Sequence, residues 1–482
     1  MCYNKDSGWN RSMKKTKIIC SIGPASCNVE VMTKMVEAGM NVARINFSHA
    51  TDEEKVNVVK TVKEVRKNTG KYIGILYDTK GPEFRNGMLE NDEITLVPGK
   101  TIRMVKENVL GNDERFSVNH PSAIDSLNVG NVVLLENGLM KIEVISKEED
   151  GVTCKIINGG VLGNKKSLSV PGVRLDIPFI SEVDYNDIVY ACEHDGNYLA
   201  LSFVSCKEDV LEVRKILKEK NREDLKIISK IESTTGVENL KSIIEVSDGI
   251  MVARGDLGVE VPMEELPIIQ NEIILNCRAN GKIAVVATEM LESMKKNARP
   301  TRAEVSDIAY AVLSGTDAVM LSGETTTGKY PVEAVSYMAS ICEANEKYFD
   351  YEEKIEAHYP KDIPSTVAAS IDEATNALDV KVVVAATLSG YTARKISNLR
   401  PNSIILAACP NEEVANSLAL NFGVYPTIIP IEKTTDKLLS DCVNKAKEMF
   451  SLNKGDIVIL SGGIPIEDKV TPTNFMKIEE IR

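Results

Sequence analysis

Three charged side chains within the stretch 226–262 have the types and spacing to handle an anion beside a metal ion. Lys230 and Glu232 lie two residues apart at the end of one apolar run, and Asp256 follows a second run. Side chains two apart in a strand share a face, so Lys230 and Glu232 point the same way. Carboxylate oxygens suit Mg²⁺, and a lysine supplies a point charge for phosphate or a developing oxyanion. A salt-bridge cluster that merely closes a barrel mouth is the alternative, which this unit alone leaves open.

A strand–helix–strand unit must position these groups. Between the runs 227–231 and 249–253, Leu240, Ile243 and Ile244 fall on one helical stripe. Parallel α/β folds bind their ligands at the carboxyl ends of the strands, which is where the three charged residues lie.

Short apolar runs of this kind recur along the chain. Helical patterns separate most of them; Val56, Val59 and Val62, for example, follow an N-capping signal at Thr51 and stop near Gly70. Eight β-then-α units over residues 14–82 and 173–345 predict an α/β fold, a (β/α)₈ TIM barrel. The runs are 17–20, 41–45, 73–77, 198–204, 227–231, 249–253, 283–287 and 317–321.

Polar residues follow these strands and would meet at one mouth of the barrel. One polar residue after a strand is a cap, whereas a complete ring of them is expensive to bury unless the protein uses it. No single member is specific, but the set predicts an active site. Its members are Arg44, Asn46, Ser48, Asp78, Thr79, Lys230, Glu232, Asp256, Thr288, Ser322 and Glu324.

Two further domains are predicted from the spacing of the runs. The segment 83–172 has strand patterns joined by Pro-Gly, Asn-Gly and Asp-Gly turns, so it is interpreted as an inserted all-β lid, with a passive insertion as the alternative. After a polar linker at 352–360, apolar runs alternate with helical patterns, which predicts a C-terminal α/β domain over 346–482. Its segment 387–392 places hydroxyls and a glycine before a helix, which predicts either a phosphate pocket or an ordinary helix cap.

Composition excludes several classes of function. The 482 residues fit about three domains, and the net charge of −13 argues against nucleic acid or an anionic membrane as a partner. Ten scattered cysteines without a C-x-x-C pair are typical of a reduced, cytoplasmic protein. No apolar run reaches the ~18 residues of a membrane helix. Residues 1–13 are polar and are predicted to be a disordered extension, with Met13 as the natural start.

One competing motif is set aside. Residues 323–329 match the G-x-x-x-x-G-K phosphate loop, but Tyr330 follows instead of the Ser or Thr that would hold Mg²⁺. No G-x-G-x-x-G dinucleotide signature is present.

The chain resembles the pyruvate kinase family, of bacterial type and without an appended C-terminal module, from about Lys14 to its end. Several motifs occur in the family's order. They are TKIICSIGPAS (16–26), GMNVARINFSH (39–49), DTKGPEFR (78–85), SVPGVRLDIP (169–178), ISKIES (228–233), DGIMVARGDLGVEVP (248–262), ATEMLESM (287–294), RPTRAEVSD (299–307) and MLSGETTTGKYP (320–331).

The resemblance implies phosphoryl transfer from phosphoenolpyruvate to ADP, giving pyruvate and ATP. It implies that Glu232 and Asp256 hold Mg²⁺ (or Mn²⁺) and that Lys230 stabilises the transferring group. Arg44 would bind the substrate phosphate. The backbone N–H groups of Gly255 and Asp256, together with Thr288, would receive the carboxylate. Protonation of the enolate would pass near Thr288, with a relay through Ser322 and Glu324.

It further implies a K⁺ site and a nucleotide site. The matching K⁺ ligands are Asn46, Ser48, Asp78 and Thr79. Glu83 is the residue type associated with K⁺ dependence in the family, where lysine removes that need. Nucleotide phosphates would meet three cations, which are His49, Arg85 and Lys166.

In the C-terminal domain the resemblance implies an effector phosphate loop, allosteric activation by a phosphorylated metabolite, and a homotetramer. The loop would consist of Thr387, Ser389, Gly390 and Thr392. The chain also departs from the family at four places. Glu289 replaces a usual glutamine, Glu136-Asn137-Gly138 replaces Asp-Asp-Gly, Ser167 replaces a glycine, and Ser205 stands where an arginine is common.

Two other classes were weighed against a kinase. A Mg²⁺-dependent lyase or aldolase acting on pyruvate has no need of an ADP site, so the lid with Lys166 and Arg85 argues against it. A catalytically dead metabolite sensor would be expected to lose Lys230, Glu232, Asp256 or Thr288, and all four are present.

Overall fold

A computed structural model of the protein describes residues 13–351, 361–432, 434–464 and 471–482. The first three strands of the chain alternate with two helices. These elements are β1 (Lys17–Ser21), α1 (Val29–Ala38), β2 (Val42–Asn46), α2 (Asp52–Thr69) and β3 (Gly74–Asp78). The helix predicted between Thr51 and Gly70 is confirmed. Thr51 and Glu54 form a reciprocal capping box, and Gly70 ends the helix in the left-handed conformation at φ 65°. The predicted disordered stretch up to residue 12 and the linker 352–360 lie outside the described residues.

The inserted β domain follows β3. It contains β4 (Glu93–Leu96), β5 (Thr101–Val105), β6 (Arg115–Ser117), β7 (Val132–Leu135), β8 (Met140–Glu148), β9 (Gly151–Asn158), β10 (Gly160–Gly163) and β11 (Leu168–Ser169), with short 3-10 helices at Glu90–Asp92 and Pro121–Ser126. Six strands form one curled sheet in the order β11-β7-β8-β9-β5-β6, and β10 pairs with β4. Alternate side chains such as Phe116, Val133 and Val144 are buried together, which gives the domain its own core.

The remaining βα units complete the barrel. They are α3 (Glu182–Glu193), β12 (Tyr198–Leu201), α4 (Lys207–Glu219), β13 (Lys226–Ile231), α5 (Thr234–Glu238), α6 (Leu240–Val246), β14 (Gly249–Ala253), α7 (Arg254–Glu260), α8 (Leu266–Ala279), β15 (Ile283–Ala287), a 3-10 helix at Glu292–Lys295, α9 (Arg302–Leu313), β16 (Ala318–Leu321), α10 (Gly323–Thr326) and α11 (Pro331–Glu346).

The barrel is closed and parallel, in the order β1-β16-β15-β14-β13-β12-β3-β2. Ile19, Leu76 and Met251 fill its interior, while a larger apolar layer lies between the strands and the outer helices. Leu240 and Ile243 belong to that outer layer, as their helical spacing predicted. All strands therefore end at one mouth, the end at which barrel enzymes bind their ligands.

The C-terminal α/β domain contains α12 (Ile363–Ala377), β17 (Val380–Ala386), α13 (Tyr391–Asn398), β18 (Ile404–Cys409), α14 (Glu412–Asn416), β19 (Val424–Ile428), α15 (Thr435–Phe450), β20 (Ile457–Gly462) and β21 (Phe475–Glu480). Its sheet order is β19-β18-β17-β20-β21, with β21 antiparallel. Among the described helices, none has the length and apolar character required to cross a membrane.

A buried ion pair joins the barrel to the C-terminal domain. Arg400, after α13, donates to Asp317, before β16, at 2.6 Å, and both side chains are almost completely buried. The guanidinium also lies over the Phe422 ring, and the Asp317 carboxylate accepts the Ala284 N–H. Removing one partner of such a pair destabilises the protein, because the other charge stays buried without a partner.

We expect Arg400→Met to lower the free energy of unfolding by about 3–5 kcal/mol. The matched control is Lys445→Met, which breaks an exposed pair with Glu448 and is expected to change the free energy by at most about 1 kcal/mol. Urea-unfolding midpoints of the two variants check the difference. Equal losses in both would contradict a stabilising role for the buried pair.

Candidate active site

Asp78 lies at the centre of the charged cluster in the barrel mouth. It ends β3 and is completely buried, and it accepts hydrogen bonds from Arg44 Nε at 2.7 Å and from Lys230 Nζ at 3.1 Å. Arg44 comes from β2, and its other arm donates to Ser21 of β1 at 2.7 Å. Residues that end different strands are therefore held together by one carboxylate, because the barrel closes.

Ser202 belongs to the same cluster, although the sequence analysis did not select it. Lys230 Nζ donates to its hydroxyl at 2.7 Å, and the backbone of the next residue, Phe203, donates to Glu232 at 2.6 Å. Phe203 adopts a left-handed φ of 57°, which turns its N–H toward the site. The available signal was its position at the exit of β12, which, like the exit of β1, lacked a selected residue.

The electrostatics of the cluster follow from burial and proximity. Burial alone would lower the pKa of the Lys230 ammonium, but Asp78 and Glu232 outweigh it and hold the pKa above its ordinary value. Glu232 Oε1 lies 3.0 Å from Lys230 Nζ. Burial nevertheless raises the pKa of Glu232 to about 7, with the neighbouring Asp256 carboxylate contributing. The pKa of Asp256 is raised as well, by desolvation in the barrel mouth and by the Glu83 and Asp78 carboxylates, although the residue itself is exposed to solvent. Two neighbouring carboxyl groups with raised pKa values suit a divalent cation, because the cation stabilises their ionised forms.

The donor set fits Mg²⁺ in number as well as in chemistry. Glu232 and Asp256 are hard oxygen donors that interact electrostatically with each other. Over the described ranges, no group of three or more Asp, Glu, His or Cys residues is arranged to hold a metal. Mg²⁺ in phosphoryl-transfer sites is commonly bound by one or two carboxylates, with substrate oxygens and waters as the other ligands.

Thr288 faces the first turn of α7, and its backbone is strained. Its hydroxyl oxygen accepts the Gly255 N–H at 2.8 Å and donates to the Ala287 carbonyl at 2.6 Å. Thr288 has a φ of 68° and Glu289 a φ of 54°, in the left-handed region that a β-branched residue rarely occupies. The Gly255 N–H, which is predicted to bind a substrate carboxylate, therefore donates to the Thr288 hydroxyl in this structure.

Ser322 and Glu324 lie at the exit of β16. Glu324 is buried and accepts the Ser322 N–H at 2.7 Å and the Leu291 N–H at 2.9 Å. Both carboxylate oxygens of Glu324 thus accept backbone N–H groups, which links the loop after β15 to the loop after β16.

The residues matching a K⁺ site lie around the exits of β2 and β3. Asn46 and Asp78 are paired across these strands, and the Asn46 side chain accepts the Ser48 N–H at 3.1 Å. Thr79 is buried, and its hydroxyl accepts the Ser202 N–H at 3.2 Å. The Asp78 side chain is already engaged by Arg44 and Lys230, a role that the sequence did not indicate.

The predicted nucleotide-binding cations divide between the barrel rim and the lid. Arg85 donates twice to Glu83, at 2.8 and 3.0 Å, and once to the Lys165 carbonyl at 2.8 Å. Lys166 forms an ion pair with Glu136 at 2.6 Å. The Asn137 N–H donates to the Ser167 hydroxyl at 3.2 Å, so two of the unusual lid positions are neighbours in space. His49 is exposed and interacts electrostatically with Glu83.

In the C-terminal domain, the predicted phosphate loop lines a cavity at the start of α13. Gly390 has a φ of 80° and caps the helix. Thr387 and Ser389 line the cavity, and Thr392 Oγ1 lies 2.8 Å from Thr473 Oγ1 of the facing wall. Apolar side chains, including Leu388, Pro410, Ile431 and Pro472, form the rest of the lining.

Comparison with known proteins gives one consistent result. Residues 13–335 match the family model of the pyruvate kinase barrel domain, and residues 365–479 match that of the pyruvate kinase alpha/beta domain. The pyruvate kinase of Bacillus licheniformis is 44% identical over 471 residues, which cover 97% of this chain and 80% of that protein. The pyruvate kinase of Geobacillus stearothermophilus is 42% identical over 473 residues, with the same coverage. The crystal structure of a pyruvate kinase from Cryptosporidium parvum superimposes with a TM-score of 0.93 at 38% identity, covering 97% of this chain and 96% of that one.

Proposed function

The chain belongs to the pyruvate kinase family, and we propose that it transfers the phosphoryl group of phosphoenolpyruvate to ADP in glycolysis, giving pyruvate and ATP. The observation that carries the proposal is the buried cluster at the barrel mouth, where Arg44 and Lys230 converge on Asp78 beside Glu232. Even paired charges are costly to bury, so a cluster of four at one barrel mouth supports a site that handles an anionic substrate.

The roles of the residues follow from the charge that moves. Phosphoryl transfer proceeds through a loose transition state, so catalysis depends on alignment and on neutralising charge. Arg44 binds the phosphate of phosphoenolpyruvate, and Lys230 stabilises the group in transit. Thr288 and the N–H groups of Gly255 and Asp256 receive the carboxylate.

Glu232 and Asp256 would hold Mg²⁺, which supplies charge stabilisation for the enolate of the substrate when bound. Because the pKa of each carboxylate is raised, cation binding and loss of their protons would be coupled. After transfer, Thr288 conducts a proton toward the substrate, with Ser322 and Glu324 behind it. A threonine hydroxyl is a weak acid, so it acts as a conduit rather than as a source.

His49, Arg85 and Lys166 bind the phosphates of ADP. Arg85 interacts electrostatically with Asp256, which supports an ADP site near the residues that would hold the metal. Within the lid, its contact with the Lys165 carbonyl also brings Arg85 next to the residue that precedes Lys166.

Pyruvate release from phosphoenolpyruvate, measured with Mg²⁺ and with or without ADP, tests the proposal. Release that requires ADP is the expected result. Release without ADP would favour a lyase-type or hydrolytic reaction. No release in the presence of sugar phosphates and AMP would favour a metabolite sensor.

We expect the reaction to depend on K⁺, which would be held by Asn46, Ser48, Asp78 and Thr79. Replacing K⁺ with tetramethylammonium should lower the rate about tenfold or more, since one fixed positive charge is lost from the site. Glu83→Lys should reduce this dependence, because an ammonium would stand in for the ion. Glu90→Lys, at an exposed lid glutamate, is the control that should retain it. Equal rates in both salts for the native enzyme would refute the K⁺ site.

We propose that the loop Thr387–Thr392 binds the phosphate of an activating metabolite. The motif Thr387, Ser389, Gly390 and Thr392 opens α13, and helix N-termini favour anions. Phosphorylated sugars or AMP should lower the KM for phosphoenolpyruvate, and Ser389→Glu should abolish that shift by placing a carboxylate at the phosphate position. Ser370→Glu, on an exposed face of α12, is the matched control. Activation that survives Ser389→Glu would place the effector elsewhere.

We further propose a cytoplasmic homotetramer. Met263 and Ile268 are exposed on one side of the barrel, and β21 is an edge strand of the C-terminal sheet with Ile478 exposed. Both surfaces suit association between copies. Sedimentation velocity measures the mass of the assembly.

A further inference from the structure

Two consecutive residues of α7 hold Thr288 from both sides. Gly255 donates its N–H to the threonine hydroxyl, and the Arg254 guanidinium donates to the Thr288 carbonyl at 2.7 Å. Thr288 and Glu289 both have positive φ values, 68° and 54°. Such a conformation persists only where the surroundings determine it.

Arg254 is itself fixed by neighbouring elements. Its Nη1 donates to Asp307 of α9 at 2.6 Å and approaches Gln270 of α8 at 3.5 Å, and its Nη2 lies 2.9 Å from Met290 Sδ. The arginine side chain is about nine-tenths buried. A planar guanidinium presents several donors in a fixed fork, which a lysine ammonium does not reproduce.

We propose that Arg254, oriented by Asp307, is a positioning residue that holds the left-handed turn at Thr288 and so aims the threonine hydroxyl at the substrate. The inference rests on the proposed function. There, a substrate carboxylate takes the Gly255 N–H, so the hydroxyl loses that partner on binding. The Arg254 contact to the carbonyl is then what keeps Thr288 in place. Arg254 touches neither the substrate nor the metal.

The test compares Arg254→Lys with a matched arginine elsewhere in the barrel. Arg214 of α4 also donates to a backbone carbonyl, that of Val246, and to an aspartate, Asp248, but at the opposite end of β14. We expect Arg254→Lys to lower kcat for phosphoenolpyruvate and ADP about ten- to a hundredfold, because a small displacement of a reacting group is amplified in the rate. The KM for ADP should not change. Arg214→Lys should lose similar thermal stability while keeping kcat.

Two further measurements separate positioning from a merely structural role. Glu289→Asn replaces the neighbouring residue with one that tolerates positive φ, so Arg254→Lys should lower kcat by a smaller factor in that background. Threonine-methyl NMR reports on the Thr288 side chain without any turnover, and the Thr288→Ser variant identifies its signal. The Thr288 signal should broaden or split in Arg254→Lys and stay single in Arg214→Lys.

The outcomes are distinct. Equal loss of kcat in Arg254→Lys and Arg214→Lys, the same factor in both Glu289 backgrounds, or an unchanged Thr288 signal in Arg254→Lys would each overturn the positioning role. Absence of turnover in the native enzyme would overturn the proposed function instead, and the methyl spectrum would still decide whether Arg254 holds Thr288.

Discussion

Lys230→Met should reduce kcat about a hundredfold or more at saturating phosphoenolpyruvate and ADP. Removing one preorganised charge that meets the developing negative charge has an effect of this size. The Lys230 ammonium is held by three contacts within 3.1 Å, to Asp78, Ser202 and Glu232, so it needs no reorganisation during the reaction. Methionine preserves most of the side-chain length and removes the charge.

The control for this variant is another buried lysine that pairs with carboxylates. Lys55 of α2 lies 3.1 Å from Asp187, and its side chain is as buried as that of Lys230. It also lies over the Phe47 ring, in the outer layer of the barrel. Lys55→Met should destabilise the protein, as breaking a buried ion pair does, while kcat stays close to that of the native enzyme. Similar losses of kcat in the two variants would mean that Lys230 acts through stability and not through the transferring group.

Much of this site was predictable from the sequence because a parallel barrel turns strand exits into neighbours. Eight apolar runs gave strands whose ends lie within a few residues of those observed; Gly249–Ala253 and Ile283–Ala287 match completely. Once the strands are in order, closure of the barrel brings the strands that carry Arg44, Asp78 and Lys230 to the same mouth. The continuous apolar runs carry this information because each barrel strand buries nearly every side chain.

The partners of each side chain were less predictable, since they depend on directions that tertiary packing sets. Asp78 was selected as an oxygen donor for K⁺, yet its carboxylate pairs with two cations. Glu324 was selected for a proton relay and holds two backbone N–H groups. Neither finding tests the predicted role. Positive φ at Phe203 and Thr288 had no sequence signal, because neither residue type favours that region.

The apolar runs that predict the C-terminal domain, 381–386, 403–408 and 456–460, correspond to β17, β18 and β20, whereas β19 and β21 had no predicted run for local reasons. β19 contains Pro426, and a proline within an apolar run argues against a strand when only the sequence is known. The proline is tolerated because β19 lies at the edge of the sheet. β21 is the other edge strand, and most of its side chains are at least partly exposed, so its pattern lacks the apolar alternation of a buried strand. Edge positions thus relax the rules on which strand prediction depends.

Asp256→Asn should raise the Mg²⁺ concentration for half-maximal activity by about tenfold or more. Loss of a group that only supports a metal ligand already weakens binding about 10- to 100-fold, so loss of a ligand charge should do at least as much. Asp256 is the more informative of the two ligands. Glu232 also holds Lys230 and accepts the Phe203 N–H, so Glu232→Gln would disturb the substrate cluster as well.

The same helix provides the control for Asp256→Asn. Glu260 ends α7, is largely buried, and accepts hydrogen bonds from Ser169 of the lid and from Thr234. Glu260→Gln removes a carboxylate charge one helical turn from Asp256, so it should leave the Mg²⁺ requirement unchanged. A shift of equal size in both variants would mean that general negative charge on α7 attracts the cation. A shift confined to Asp256→Asn would support Asp256 as the carboxylate on α7 that binds the cation.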